Sequence, residues 1–305
     1  MPRAMNAAKE GDGRPMNTTS FEALACPLDG DPLERRDGAW RCAAGHSFDI
    51  ARQGYVHLLP VQNKRSRDPG DSKEMVAARR RFLEAGHYRP IAEAVGRAVL
   101  AETPAGGTLS CLDAGCGEGF YLRTLRELAS AATESEKAQG GAATLSLLGV
   151  DISKWAVLAA AKREKAATWV VGTNAHLPVQ AQSLDRVLCL FGFPVYPEFA
   201  RVLKPGGELL MVEAGPDHLR ELREIIYPSL KPPREDDEAA PEGFTRRPAE
   251  ALRYSIELEG AEPIADLLAM TPHLHRASAE GRERAAALTS LTLTVDVRLT
   301  RLVRE

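Results

Sequence analysis

The stretch Leu109–Leu122, L-S-C-L-D-A-G-C-G-E-G-F-Y-L, concentrates the residues best suited to hold a cofactor. An apolar run (Leu109, Cys111, Leu112) ends in Asp113. Gly115, Cys116, Gly117 and Gly119 follow at once, ahead of a helix-compatible run from Phe120 to Leu128. Glycines in such a turn let the backbone approach a ligand, and the helix behind it offers unpaired N–H groups. A second apolar run, Leu145–Val150, ends in another acid, Asp151, placed to accept the hydroxyls of a ribose. Asp113, Gly115, Gly117 and Asp151 together predict a nucleoside-type cofactor site. Glycine turns also join many strands to helices with no ligand, and the paired acids are what set this one apart.

Two other groups could do chemistry. Cys26-Pro27-Leu28-Asp29 is followed, after twelve residues, by Cys42-Ala43-Ala44-Gly45-His46. With cysteine at 29 this would be a C-x2-C-x12-C-x3-H zinc-knuckle spacing, and a stub of about 40 residues has too small a core to fold without a staple. Aspartate ligates zinc through oxygen more rarely than thiolate does. Two readings therefore stand: a Cys26/Asp29/Cys42/His46 zinc site, or an eroded site held by apolar packing of Leu28, Leu33, Trp40, Phe48 and Val56. The third group is Val61–Arg89, with eight basic residues against four acidic ones. Its densest stretch, Lys64, Arg65, Arg67, Arg79, Arg80 and Arg81, reads either as a solvated helix face or as contacts to nucleic-acid phosphates. One of three consecutive helix residues must turn inward, and Arg79 is the candidate.

These residues need elements to position them. At 305 residues and 44% apolar content the chain has room for a domain of about 200 residues and a smaller module. No run approaches the ~18 apolar residues of a membrane span. A net charge of −3 gives no general sign of nucleic-acid binding, so such a role rests on local clusters. Five cysteines, odd in number and mixed in setting, fit a reducing cytoplasm. The expected organisation is a disordered tail over 1–20, a zinc-knuckle-like module over 21–60, a basic linker helix within 61–90 and an α/β, doubly wound domain over 91–305. Asp71 or Ser72 caps the linker helix and Gly86 ends it. Ile91–Ala101 and Lys154–Lys165 read as helices, and Trp169–Gly172, Asp185–Phe191 and Glu208–Glu213 as strands. Ala129–Thr144 is an insertion and Lys231–Gly243 a mobile loop. The alternation in Ser290–Leu302 marks an antiparallel strand near the sheet edge. After Asp185–Phe191, Phe193 and Tyr196 either stack on a target base or pack the loop. His176 is read as structural.

The acid pair Asp113/Asp151 resembles the class I S-adenosylmethionine (SAM) methyltransferase signature. It fits the dinucleotide fingerprint less well, where the third glycine lies deeper in the helix. Ser47–Tyr88, S-F-D-I-A-R-Q-G-Y-V-H-L-L-P-V-Q-N-K-R-S-R-D-P-G-D-S-K-E-M-V-A-A-R-R-R-F-L-E-A-G-H-Y, is similar to the 23S rRNA (guanine-N1)-methyltransferases. The likeness continues through L-D-A-G-C-G-E-G, G-V-D-I-S-K, L-K-P-G-G and G-P-D-H-L, from about Phe21 to the C-terminus. It implies a zinc module joined to a Rossmann-like SAM-dependent domain that methylates N1 of a guanine in a 23S rRNA hairpin. It also implies a homodimer that sets two basic modules beside one RNA. The family's SAM contacts fall on Tyr88, Gly117, Glu118 and His218. Thr173 offers a hydroxyl where many SAM enzymes place an aspartate against adenine. The family's A-P after the fourth strand is G-F-P here, at Gly192–Pro194.

Methyl transfer from a sulfonium needs mainly positioning. The proton on N1 must leave, so a carboxylate, a backbone carbonyl or water is expected beside it, and no residue type or spacing names the catalytic group. The rival readings are a small-molecule methyltransferase, which the basic module opposes, and an rRNA-binding assembly or resistance factor with a vestigial SAM site, which the intact glycine turn and Asp151 oppose.

Overall fold

The computed structural model describes residues 18–63, 66, 68–101, 107–136, 144–230, 232 and 239–305. Lys64, Arg65 and Arg67, the first 17 residues of the expected tail and most of the loop expected at 231–243 lie outside the described residues. The chain opens with β1 (Thr18–Ser20), a three-stranded ribbon of β2 (Glu34–Arg36), β3 (Ala39–Arg41) and β4 (Ser47–Asp49), and then β5 (Tyr55–His57). Helix α1 (Lys73–Glu84) begins where the Ser72 hydroxyl accepts from the Met75 N–H, at 3.3 Å, and ends ahead of Gly86, at φ +87°. Helix α2 (Arg89–Leu100) carries Pro90 in its first turn, where a residue with no N–H leaves nothing unpaired.

The core then alternates: β6 (Thr108–Ala114), α3 (Phe120–Glu136), β7 (Thr144–Asp151), α4 (Lys154–Arg163), β8 (Thr168–Val171), β9 (Leu184–Leu190), α5 (Tyr196–Val202), β10 (Leu203–Ala214) and α6 (Arg220–Ile226). The C-terminal part adds β11 (Phe244–Arg246), β12 (Glu250–Glu259), α7 (Ala261–Met270), α8 (His273–Arg276), α9 (Ala279–Ala286) and β13 (Ser290–Arg304). The insertion expected after Leu128 begins as about two further turns of α3.

The main sheet runs β11-β13-β10-β9-β6-β7-β8-β5, with β12 also on β13. Strands β5 to β10 in it are parallel, and β13 lies antiparallel to β10, β11 and β12. Successive residues of a strand enter different clusters. In β6, Leu109 and Cys111 join one core and Leu112 and Ala114 the other, so both faces are covered, as a parallel sheet requires. The strand order reverses between β7-β6 and β6-β9. That reversal opens a crevice at the carboxyl ends of β6 and β9, the place where such folds bind ligands.

The N-terminal boundaries differ from expectation for a physical reason. Strand β8 pairs only with Leu148–Asp151 of β7, which leaves Leu145–Leu147 with an open edge. Thr18–Ser20, expected in the tail, fill it. Tyr55–His57, expected inside the small module, extend the main sheet beyond β8. Phe21, Leu24, Leu33, Trp40, Val56 and Leu58 share one apolar cluster with Leu112, Leu148, Val170 and Val187 of the sheet. The ribbon is therefore fused to the sheet, with no separate core of its own. No described helix is long and apolar enough to cross a membrane.

Candidate cofactor cleft and metal centre

The glycine turn sits between the end of β6 and the start of α3. Gly115 N–H and Cys116 N–H both donate to Val150 O, at 2.8 and 3.1 Å, which fixes the turn against the end of β7. Gly115, Gly117 and Gly119 have φ of 102°, 54° and 84°, a region that L side chains rarely adopt. Their surroundings differ. A Cβ on Gly119 would lie 2.6 Å from the Trp169 ring, so this glycine lets α3 pack on the sheet. A Cβ on Gly115 would meet nothing within 4 Å, so its open side is room for a ligand. Gly117 faces Arg79, whose Nη1 lies 3.5 Å from where a Cβ would be.

Asp151 is held ready on the cleft. Its Oδ2 accepts from Gly117 N–H at 2.9 Å and its Oδ1 from Ser153 N–H at 2.8 Å, which leaves a lone pair on each oxygen for a diol. Burial raises its carboxyl, opposed by those two donors and by the nearby charge of Arg79. Asp113 is 1% exposed, and burial, with Asp151's charge adding, pushes its carboxyl up to about 8. Its Oδ2 has no hydrogen-bond partner among the described residues. A buried orphan acceptor calls for a partner, and the ammonium and sulfonium of SAM are cationic, so the acids fit that cofactor. On the far side, Thr173 Oγ1 accepts from Ala175 N–H at 3.2 Å, in a turn that bridges to His176. Asn174, which the sequence reading did not single out, ties this turn to the glycine loop by donating from Nδ2 to Ala114 O at 3.3 Å.

Tyr88, just ahead of α2, and His218, after β10, meet with 3.1 Å between the hydroxyl and Nε2. Asp296 N–H donates to His218 Nδ1 at 3.3 Å, so the imidazole proton is on Nε2 and donates to Tyr88. Burial holds His218 neutral, down to about 4, and pushes the Tyr88 phenol well up. The Tyr88 O–H is left free to donate elsewhere. Phe191, expected as the last residue of its strand, instead leaves β9 at φ +54° and is 40% exposed. Its ring stacks on Tyr88 at 5.7 Å between centroids and lies 5.6 Å from His218. An aromatic at the end of a strand beside the glycine turn was the available signal, and a strained left-handed backbone there marks a site.

Glu118 turns away from the cleft: its fully buried carboxylate pairs with Arg123 at 2.9 Å, so only its backbone can touch a cofactor. Tyr196 packs inward on Phe244 and Met211, whereas Phe193 stands 87% exposed. Two of the arginines expected to contact RNA are committed within the fold, because α1 packs on α7, an element nearly 200 residues away in sequence. Arg79 pairs with Asp71 at 2.7 Å and donates to Met270 O at 3.1 Å; Arg81 donates to both oxygens of Asp266. Arg80 makes no ion pair among the described residues and is half-buried.

In the ribbon, the ligand atoms of Cys26, Asp29, Cys42 and His46 all lie within 4.8 Å of one another. Both sulfurs are 3.4–3.5 Å from His46 Nδ1. A zinc tetrahedron with bonds of 2.0–2.3 Å has edges of about 3.5 Å, so the donor set fits zinc with Asp29 as the oxygen ligand. The carboxylate is itself fixed by Asp31 N–H, at 3.0 Å, the largest cause that holds it down to about 2. All five cysteines are free; Cys111 and Cys189 are buried in β6 and β9 and Cys116 in the glycine turn.

A doubly wound sheet whose switch-point crevice is lined by a glycine turn and two acids is the arrangement of a class I SAM-dependent methyltransferase, here with a zinc-binding ribbon built onto its sheet. Residues 112–211 match the family model described as a methyltransferase domain, and residues 24–67 the zinc-ribbon model described as RlmA, N-terminal. A protein of Micromonospora griseorubida, provisionally named a 23S rRNA (guanine-N1)-methyltransferase, is 36% identical over 91% of this chain and 96% of its own length. YxjB of Bacillus subtilis, provisionally given the same activity, is 32% identical over 92% and 96%. The 23S rRNA (guanine(748)-N1)-methyltransferase of Streptomyces fradiae is 34% identical over 82% and 84%. The chain belongs to the 23S rRNA (guanine-N1)-methyltransferase family.

Proposed function

We propose that this protein transfers the methyl group of SAM to N1 of a guanine in 23S rRNA. The observation that carries the reading is the crevice at the β6/β9 switch point, with Asp151 anchored by two backbone donors and Asp113 buried with an orphan oxygen. Bound SAM supplies an electrophilic methyl on a cationic sulfonium. Asp151 holds the ribose, Asp113 faces the cationic end, Thr173 borders the adenine, and the Gly115 and Gly117 backbone lies along the methionine part. Tyr88, oriented by His218, directs its hydroxyl into the same crevice. Phe191 and Phe193 follow β9 and present aromatic faces on which an unstacked guanine can lie, which orients N1 toward the methyl. The ribbon and the basic segment before α1 contact the RNA, as phosphate-binding surfaces do. A homodimer would give twice the chain mass in light scattering.

The test is mass mapping of 23S rRNA from a strain lacking the gene, beside transfer assays of the purified protein on rRNA and on metabolite pools. One N1-methylguanine should be missing from the mutant rRNA and restored in vitro. An unchanged rRNA map with methyl transfer to a metabolite would overturn the assignment in favour of a small-molecule enzyme.

A further inference from the structure

Arg79 stands in a basic run, and its surroundings are those of a cofactor wall. Its Nη1 and Cδ lie 3.5 and 3.7 Å from where a Cβ on Gly117 would be, directly over the glycine turn. It is held there from two sides, by Asp71 at 2.7 Å and by Met270 O at the end of α7, at 3.1 Å. Asp71 is fixed in turn: its carbonyl accepts from the Ser153 hydroxyl at 2.7 Å, and Ser153 N–H donates to the Asp151 carboxylate. Gly70, at φ +83°, packs so closely that a Cβ would lie 2.8–2.9 Å from Ile152 and Ser153. The segment before α1 is thus folded onto the loop that carries the ribose acid. One chain of contacts runs from Asp151 through Ser153 and Asp71 to Arg79 and back to Gly117.

The charges of the cleft decide what this guanidinium meets. Asp113 and Asp151 supply oxygens that suit hydroxyls and the cationic groups of SAM, and the charge of Asp151 repels its one anion, the methionine carboxylate. That anion needs donors on the glycine-turn side. A guanidinium has five N–H donors in a fixed fork, and the two contacts to Asp71 and Met270 leave others of them for a carboxylate. We propose that Arg79 receives the carboxylate of SAM and positions the methionine end over Gly117, rather than gripping an RNA phosphate. The inference rests on the SAM reading above and deepens it.

The test compares two ligands that differ only at the group in question, SAM and decarboxylated SAM, in calorimetric titrations of the full-length protein. The wild type should prefer SAM by about tenfold or more, the worth of a charge-assisted pair. Arg79→Gln should abolish that preference by weakening SAM while leaving decarboxylated SAM within about twofold, and Arg79→Lys should restore part of it. Arg80→Gln should change neither affinity. A variant Arg79→Gln that keeps the wild-type preference overturns the proposal. So does one that weakens both ligands equally, which marks a purely structural role for the clasp. Loss of rRNA affinity and of its salt dependence with the preference intact returns Arg79 to the RNA surface. If the wild type binds neither ligand, it is the SAM reading that has failed. Thermal melting of each variant with no ligand checks that the fold is kept.

Discussion

Asp151 reaches the crevice with each oxygen already accepting one backbone N–H, so a ribose adds bonds to a carboxylate that needs no rearrangement. Charge-assisted bonds of this kind are together worth about 2–4 kcal/mol. Asp151→Ala should therefore weaken SAM by tens-fold or more in a calorimetric titration of folded protein; an affinity within twofold of wild type would remove it from the site. Asp113 makes its prediction through pH. Its folded carboxyl titrates near 8 and its unfolded one near 3.9, so the native state keeps a proton that the unfolded state has lost. Stability contributed this way is full below about pH 4 and is lost as pH rises toward 8. His218 and His273, held to about 4 by burial, act with the opposite sign, but only below about pH 6.5. The limb between pH 6.5 and 8 therefore belongs to Asp113. Denaturant unfolding of the ligand-free protein should show stability falling over that range, and Asp113→Asn should flatten the fall. An identical slope in the variant would mean that another group titrates there.

At the scale of elements, the three glycines of the turn separate folding from binding. Gly119→Ala places a methyl 2.6 Å from Trp169 and 3.2 Å from Ala160 at φ +84°, where neither the indole nor α4 has room to move. It should cost about 2–4 kcal/mol, seen as a lowered melting temperature. Gly115→Ala meets no atom, so it should pay only the backbone strain of about 1–2 kcal/mol and show its larger effect in SAM affinity. If the two variants lose stability and affinity in equal measure, the division is wrong. Much of this element set was legible beforehand. Strand, glycine turn and helix are contiguous, Ser72 is a strong cap, and the alternation of β13 is visible residue by residue. Strand β12 carries the same alternation in Leu252, Tyr254, Ile256 and Leu258, a strand that the sequence reading did not assign. The inward turn of Arg79 and Arg81 could not be read locally, since Asp266 and Met270 arrive from α7. Strand β5 is three residues long, too short for any period to show.

For the molecule as a whole, the decisive fact is that the metal ribbon and the catalytic sheet share a core. Cys26 and Cys42 are buried in the same apolar cluster as Trp40, Leu148, Val170 and Val187. The four donor atoms lie within 4.8 Å of one another, and the cysteines among them share their apolar cluster with residues of the sheet. A structural zinc binds the folded state and not the unfolded one, so its binding free energy is added to folding. In an independent knuckle that stabilisation would stop at the linker. Here, removing the metal should loosen the face of the sheet formed by Leu112, Leu148, Val170 and Val187, and with it the Asp151 loop. Elemental analysis should find about one zinc per chain. Dialysis against a chelator should then lower a single thermal transition and weaken SAM binding in parallel. Asp29→Cys, which supplies the softer thiolate, should make the protein harder to strip while leaving the SAM affinity of the zinc-loaded form unchanged. Two separate transitions, the upper one indifferent to chelator, would show that the ribbon melts alone. Protein purified without chelator and free of zinc would leave the ribbon held by its apolar contacts with the sheet.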